Sequence, residues 1–453
     1  MPDAPFVPAA SSWPVCTLGE LCELGGGDIQ TGPFGSQLHA SDYVAAGVPS
    51  IMPKNIADNR VSTEDIAYIT EEDAQRLSRY RVKPGDIVYS RRGDVEKRAL
   101  IRSSEDGWLC GTGCLRVRPG EGGLDSVYLS YYLAHPAVRS WIVQHAIGAT
   151  MPNLNTSILS ELPVVAPPAQ TQRRIAHILG TLDNKIELNR RMNRTLEGIA
   201  RAIFKSWFVD FDPVHAKAEG REPVGMDPET AALFPDSFQD SPLGQIPKGW
   251  EVKPFSEIVE INPSRPIKKG QVAAYVDMAA LPTSGSQLRV QPAAREYKSG
   301  SRFRNGDVLI ARITPCLENG KTALVDFLRG DEIGAGSTEF LVFGPRMVGT
   351  FFAYCASRST ALREHAIVSM TGTSGRQRVQ KGAFVHLEMA VPSTATLARF
   401  ESCIAALFTA QHESARQNIS LSAVRDALLP QLLSGSAQSM GSMKGGRKGD
   451  RWQ

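Results

Sequence analysis

The chain repeats itself, and this repeat limits its architecture more than any single motif does. The segment SWPVCTLGELCEL (residues 12–24) returns as GWEVKPFSEIVEI (249–261), with Trp13 matching Trp250 at an offset of 237. YRVKPGDIVYSRRGDVEKRALI (80–101) is echoed by SRFRNGDVLIARITPCLENGKTALV (301–325). Gly85-Asp86 then falls on Gly306-Asp307 and Arg91 on Arg312, both at an offset of 221. In each copy a Gly-Asp turn feeds a short apolar strand that delivers an arginine at its end. A third echo joins LPVVAPPAQTQRRIAHILGTLD (162–183) to LEMAVPSTATLARFESCIAALFT (387–409) at an offset of 225. There an apolar strand meets Pro167 or Pro392, which has no amide hydrogen to donate and so marks a strand end and the approach to a helix. The unequal offsets place loop insertions between the matched blocks.

The blocks after these prolines carry the clearest periodicity. Ile175, Leu182, Asn189, Leu196 and Ile203 recur at seven-residue steps, with Ile178, Met192 and Ile199 three residues after some of them. This is an a/d heptad seam. Adding 225 gives Phe400, Leu407, Ser414, Leu421 and Leu428, with Cys403, Ala410 and Val424 in the d positions, so the second helix repeats the seam and its central polar residue. A polar residue at one a position sets register at a cost in stability. The middle residues of an antiparallel pair meet, which predicts that Asn189 and Ser414 are neighbours. Each helix is expected to run roughly 30 to 35 residues, ~45 to 52 Å at 1.5 Å per residue, longer than one turn of B-DNA at ~34 Å. The alternative is two unrelated amphipathic helices on separate domains, whose matching register would then be coincidence.

The fold class expected is α+β: two similar mixed α/β domains joined by a pair of long antiparallel coiled-coil helices with internal pseudo-twofold symmetry. The domains are expected at 12–166 and 249–391, the helices at 167–211 and 392–435, and a linker at 212–248. A Gly/Ser-rich basic tail at 436–453 reads as disordered.

Composition sets the class. A length of 453 residues suggests about three domains, or two domains plus a framework, and a 42% hydrophobic and 21% charged chain is ordinary for a soluble protein. No apolar run approaches the ~20 residues of a membrane helix. The first residues lack a basic stretch followed by an apolar one, so no secretory signal is read and a cytoplasmic protein is expected. The seven cysteines, Cys16, Cys22, Cys110, Cys114, Cys316, Cys355 and Cys403, are odd in number and form no CxxC pair, which argues against a disulfide framework or a zinc knuckle. Cys110 and Cys114 lack a second pair with metal-ligand spacing and read as small buried thiols. A net charge of +3 means that any nucleic-acid surface must be basic locally.

On TGPFGSQLH (31–39), KPGDIVYSRRG (83–93), GATMPNLN (148–155), PPAQTQRRIAHILGTLDNKIELNRRMNRTLEGIARAIFKSWFVDF (167–211) and GTSGRQRVQ (372–380), the chain resembles the specificity subunits of type I restriction-modification enzymes over nearly its whole length. Their order and duplication carry the resemblance. It implies two target-recognition domains, each reading one half of a bipartite double-stranded DNA target, and a helix pair that sets the unread gap. It also implies that the helices dock two methyltransferase subunits and that motor-nuclease subunits complete the restriction enzyme. S-adenosylmethionine, ATP and Mg are then expected on those partners, with no cofactor, metal or membrane contact for this chain. The second helix ends in ALLPQLLSG (427–435) where the first has AIFKSWFVDF (202–211), so the two partner surfaces should differ.

Phosphate contacts supply affinity and base-edge contacts supply sequence discrimination, both from Arg, Lys, Asn, Gln and Ser on loops that approach the duplex. Residues 25–42 offer Thr31, Phe34, Ser36, Gln37 and His39, and residues 90–98 offer Arg91, Arg92, Lys97 and Arg98. In the second copy the candidates are Arg265, Lys268 and Lys269, then Arg312 as the match of Arg91, then Arg376, Gln377 and Arg378 directly after a glycine. Arg173, Arg174, Arg190, Arg191 and Arg194 read as the solvated side of the first helix, with lining of the DNA spacer as the alternative.

Catalytic motifs are not found. ENGKT (318–322) has Pro315 where a phosphate-cradling loop needs its first Gly. Asn262-Pro263 continues with Ser264-Arg265 and not as an amino-methyltransferase tetrapeptide. The Gly25-Gly26-Gly27 run lacks dinucleotide spacing, and VDFD (209–212) reads as a helix-end cap. The sequence is therefore expected to be non-catalytic. A stand-alone DNA-modifying enzyme with unrecognised motifs and a coiled-coil interaction scaffold remain as alternatives.

Overall fold

The computed structural model describes Val7 and residues 13–148, 151–373 and 375–434; residue 12 and the basic tail at 436–453 lie outside the described residues. The chain forms two compact units, Met1–Ile186 with Ser420–Gln453, and Glu187–Ile419.

In the first unit, Val15–Thr17 pairs antiparallel with Pro163–Val165. Thr17 and Glu20 close a capping box that starts helix Leu18–Leu24. Four antiparallel strands follow in the order Gly26–Thr31, Cys114–Gly120, Ile87–Ser90, Arg98–Leu100. A second, mixed sheet is ordered Leu109–Cys110, Val48–Ile51, Ala67–Ile69, Tyr43–Val44. All four residues of Ile87–Ser90 are buried, which is why this strand reads as an apolar run without alternation.

The second unit repeats the plan. Glu251–Pro254 pairs with Glu388–Val391, and the main sheet is ordered Val259–Ile261, Phe340–Pro345, Val308–Ala311, Thr322–Leu324. Its companion is ordered Ala293–Glu296, Val272–Val276, Gly334–Gly336, Ser301–Phe303. The Gly-Asp turns recur with Gly85 at φ +93° and Gly306 at φ +89°, a left-handed conformation that L side chains rarely adopt.

Two helices of 40 residues, Ala169–Phe208 and Thr394–Leu433, exceed the expected length. In the first unit Ile175, Ala176 and Leu179 share a core with Leu429 and Leu433. In the second, Ala200, Phe204, Trp207 and Phe208 pack with Leu397, Phe400, Ile404 and Phe408. Ile203, Leu407 and Leu428 are partly buried against these cores, and Leu182, Leu196 and Leu421 are half-buried.

The companion row of the seam needs correction. Met192, Ile199, Cys403 and Val424 are exposed, and Ile178 and Ala410 are only half-buried. The buried companions lie four residues after the seam positions instead, at Leu179, Ile186, Ala200, Trp207, Ile404 and Gln411. At about 100° per residue, a step of three falls about 60° to one side of the seam and a step of four about 40° to the other. Both sides carry apolar residues, so spacing alone does not choose between them.

Asn189 and Ser414 are both buried, but the partners of Asn189 lie three and four residues beyond Ser414. Its Nδ2 donates to Gln417 Oε1 at 2.7 Å and to Asn418 Oδ1 at 2.9 Å. Asn193 Nδ2 donates to the Gln411 carbonyl at 3.2 Å, and Gln411 Oε1 accepts from Ser286 Oγ at 2.8 Å. Asn189→Ala removes two of these bonds and is expected to cost about 1–2 kcal/mol, read as a lower denaturant midpoint.

A second polar tie closes the first unit. Asp183 accepts from Tyr131 Oη at 2.6 Å and from Arg425 Nη1 at 2.7 Å. All three side chains are largely withdrawn from solvent, so Asp183→Ala leaves the Tyr131 hydroxyl without its acceptor, while Arg425 keeps its pairs with Asp58 and Asp426. The expected loss is about 1–3 kcal/mol, measured by equilibrium unfolding.

Residues 212–248, expected to be a linker, are folded. Helices Asp212–Ala218 and Pro228–Ala232 precede a hairpin of Phe238–Ser241 with Gly244–Pro247. Val214, Phe234 and Ile246 join the core that holds Trp207 and Phe400. Asp227 caps the second short helix and pairs with Arg399 at 2.7 Å. The apolar residues of this stretch are too widely spaced to show a helical or strand period. Among the described residues, no helix is long and apolar enough to cross a membrane.

Candidate nucleic-acid interface

The strands Ile87–Ser90 and Val308–Ala311 each end on an arginine held from both sides. The Arg91 N–H donates to the Gly113 carbonyl at 2.8 Å, and its carbonyl accepts from the Leu154 N–H at 2.8 Å. The Arg312 N–H donates to the Glu339 carbonyl at 3.0 Å, and its carbonyl accepts from the Val379 N–H at 2.9 Å. Both arginines are half-buried, and both carry a buried Nε with no hydrogen-bond partner. The Arg91 guanidinium lies 5.4 Å from the ring centroid of Phe34, which is 51% exposed. Arg312 Nη2 donates to Gln380 Oε1 at 2.6 Å. A cation fixed at its root, with donors still unspent, suits recognition of a base edge or a phosphate.

The loop segments flank these arginines. Asn153 bridges both Arg92 and Ile147, just as Arg378 bridges both Ile313 and Thr371. Thr31 is half-buried at a strand end, whereas Ser36, His39 and Arg92 are exposed. Gln37 serves its own loop, since its Oε1 accepts from the Phe34 N–H at 3.2 Å and from Tyr80 Oη at 2.8 Å. Lys97 is exposed and pairs with Asp94 at 2.9 Å. In the second unit Lys268, Lys269 and Arg376 are exposed, and Gln377 is half-buried. Arg378 is clasped by Glu339 through contacts of 2.8 to 3.0 Å, and these bonds hold the Glu339 carboxyl below the usual carboxylate range.

Two candidates are corrected. Arg98 is buried within its strand, and its Nε donates to the Ser130 carbonyl at 2.8 Å, which leaves it no path to DNA. Arg265 is buried against Asp307, with Nη2 to Oδ1 at 2.8 Å. The physical reason lies in the repeat. The buried carboxylate of each Gly-Asp turn needs a guanidinium, and Arg118 serves Asp86 at 2.6 Å in the first unit. Arg118 pairs with Asp28 across the strands, and Gly344 pairs with Glu260 in the same place in the second unit. Glycine has no charge to offer, so Arg265 takes the role from a neighbouring loop. A Cβ on Gly344 would lie 3.0 Å from Arg265 Nη2.

The five arginines of the first helix, Arg173, Arg174, Arg190, Arg191 and Arg194, are exposed. Arg191 and Arg194 reach Glu187 at 3.1 and 3.5 Å.

Sequence reasoning passed over Arg302 and Asn262. Both line a cavity of about 310 Å³ in the second unit, together with Ser301, Arg312, Thr338 and Val342. Arg302 sits opposite Arg81 at the same offset of 221 that aligns Arg312 with Arg91, so the repeat held the signal. The lysine of ENGKT is occupied, because Lys321 Nζ donates to the Met278 carbonyl at 2.9 Å. Cys110 and Cys114 are buried, and burial pushes the Cys110 thiol up to about 12. Among the described residues, no group of three or more His, Cys, Asp or Glu side chains is placed to hold a metal ion.

Residues 10–198 match the family model described as type I restriction modification DNA specificity domain. The type I restriction enzyme HindI specificity subunit of Haemophilus influenzae is 23% identical over 409 residues, covering 80% of this chain and 89% of that protein. The type I restriction enzyme MjaIX specificity subunit of Methanocaldococcus jannaschii is 23% identical over 439 residues, 93% of each chain. The crystal structure of a type I restriction-modification S subunit from M. genitalium aligns with a TM-score of 0.49 at 15% identity, covering 95% of this chain and 99% of that one.

Proposed function

We propose, from the premise that this chain belongs to the specificity subunits of type I restriction-modification systems, that each of its two units reads one half of a split double-stranded DNA target. The observation that carries this reading is one site built twice: Arg91 and Arg312, each at a strand end, each pinned by backbone bonds on both sides. A guanidinium set this way can address a guanine edge through two donors in the major groove. Exposed Arg92, Lys268, Lys269 and Arg376 then supply phosphate contacts that fix position without reading sequence.

On this reading the paired helices set the unread gap and dock methyltransferase subunits. Leu188, Met192 and Ile199 remain 58%, 39% and 43% exposed on one face of the first helix, which supports a protein partner there. S-adenosylmethionine, ATP and Mg belong to the methyltransferase and motor-nuclease subunits, and this chain performs no chemistry.

The test is a gel-shift series on the assembled complex, comparing cognate with random DNA across a salt range. Binding without sequence preference would sink the reading. Methyl transfer by the purified chain alone would favour a stand-alone enzyme instead.

A further inference from the structure

We infer that the cavity beside Arg302 in the second unit seats a backbone phosphate of bound DNA, a contact the first unit does not make; this rests on the reading of the chain as a DNA-sequence reader. The cavity presents two guanidinium groups, Arg302 and Arg312, beside Asn262 and Thr338, and no carboxylate lines it. Among the described residues the Arg302 side chain has no hydrogen-bond or ion-pair partner. Its counterpart Arg81 is spent on Glu71 and on the Ala74 carbonyl. Arg302 is also rooted in a paired strand, opposite Ala335 in the Ser301–Phe303 ladder, so its position is set before any ligand arrives.

The first unit shows why the space is open. Val342 pairs with Leu309, and Arg116 pairs with Val88; since Val88 and Leu309 match at the offset of 221, Arg116 and Val342 hold the same place. Arg116 is buried, ion-paired with Asp28 at 2.6 Å, and donates to the carbonyls of Arg79 and Arg81 at 2.9 and 3.3 Å. Those carbonyls belong to the stretch that matches residues 300–302 around the cavity. The first unit therefore fills the pocket with its own guanidinium. The second has a short valine there, and the unpartnered Arg302 borders the vacant volume as the group that takes the phosphate, with Arg312 along its edge. A net positive, acid-free recess with bidentate donors matches a phosphate oxyanion.

The experiment measures salt dependence of DNA binding by the full chain in its assembled complex, unmodified and with Arg302→Ala or Val342→Arg. The second variant restores the guanidinium of the first unit, with Glu260 at the strand position of Asp28. Loss of one phosphate contact lowers the slope of log K against log salt by about 0.9, and affinity should fall alike on cognate and random DNA in both variants. An unchanged slope in both variants, or a loss confined to cognate DNA, overturns the assignment. Inorganic phosphate titrated into the DNA-free complex separates the sources. Weak binding that both variants abolish, with the DNA slope also reduced, supports the backbone phosphate. The same binding with the DNA slope unchanged assigns the cavity to free phosphate and overturns it. Failure of the broader reading looks different, because the unmodified complex would then show no sequence preference.

Discussion

Arg312→Ala is expected to erase discrimination at one base pair or more of the second half-target while leaving the first half fully discriminated, and Arg91→Ala is expected to do the reverse. Each arginine is a cation fixed at the end of its strand between two backbone hydrogen bonds. A bidentate arginine contact to a base is worth about 1–3 kcal/mol of discrimination, or about 5- to 150-fold in relative affinity. The fold should survive both changes, since each arginine is half-buried and its backbone makes the bonds that tie the loops, with a single side-chain bond, from Arg312 to Gln380, to lose. Competition binding with targets altered one base at a time reads the effect. Uniform weakening on every sequence would instead make these residues phosphate contacts. Phe34 lies against Arg91, and among the described residues no aromatic ring lies under the Arg312 guanidinium, so Phe34→Ala should weaken discrimination in the first half only.

The second large effect concerns the helices. Removing residues 186–192 together with the matched residues 411–417 takes one heptad from each helix and preserves the seven-residue spacing of the seam. The pair then shortens by about 10.5 Å, about three base-pair steps of B-DNA. Both half-targets should stay the same while the tolerated gap contracts by about that amount. DNA with the original gap should lose specific binding, a difference on the order of 10³-fold or more. Altered half-targets would show that the helices take part in reading and do not only set the gap.

Much of this architecture was legible in the sequence because duplication removes ambiguity. The Gly-Asp turn, the apolar strand and the terminal arginine were each visible twice, and the structure builds both copies in the same sheet position. The long helices were legible for the same reason, and their seam positions Ile175 and Phe400 are deeply buried. What was lost depended on direction and on neighbours distant in sequence. The choice between Met192 and Asn193, or between Ile199 and Ala200, as the inward companion turns on which side of the helix meets a core. Heptad spacing does not contain that information.

The site was harder for a related physical reason. Arg98 and Arg265 looked like the other loop cations because nothing local marks a guanidinium as spent. Arg98 is spent on a carbonyl 32 residues away, and Arg265 on a carboxylate 42 residues away. Arg265 could have been recognised only by seeing that Gly344 stands where the first copy has Arg118. The folded stretch at 212–248 lies outside the matched blocks, so the repeat offered no help there, and Phe234 and Ile246 are buried by contacts with residues far along the chain.

On this reading one chain reads two separated half-targets, one with each unit. Genome-wide mapping of methylated bases in cells carrying the intact system, with and without Arg312→Ala in this chain, tests it most directly. One split motif of two fixed halves around an unread gap is expected, with only the second half relaxed by the substitution. A continuous motif, or relaxation of both halves together, would contradict it.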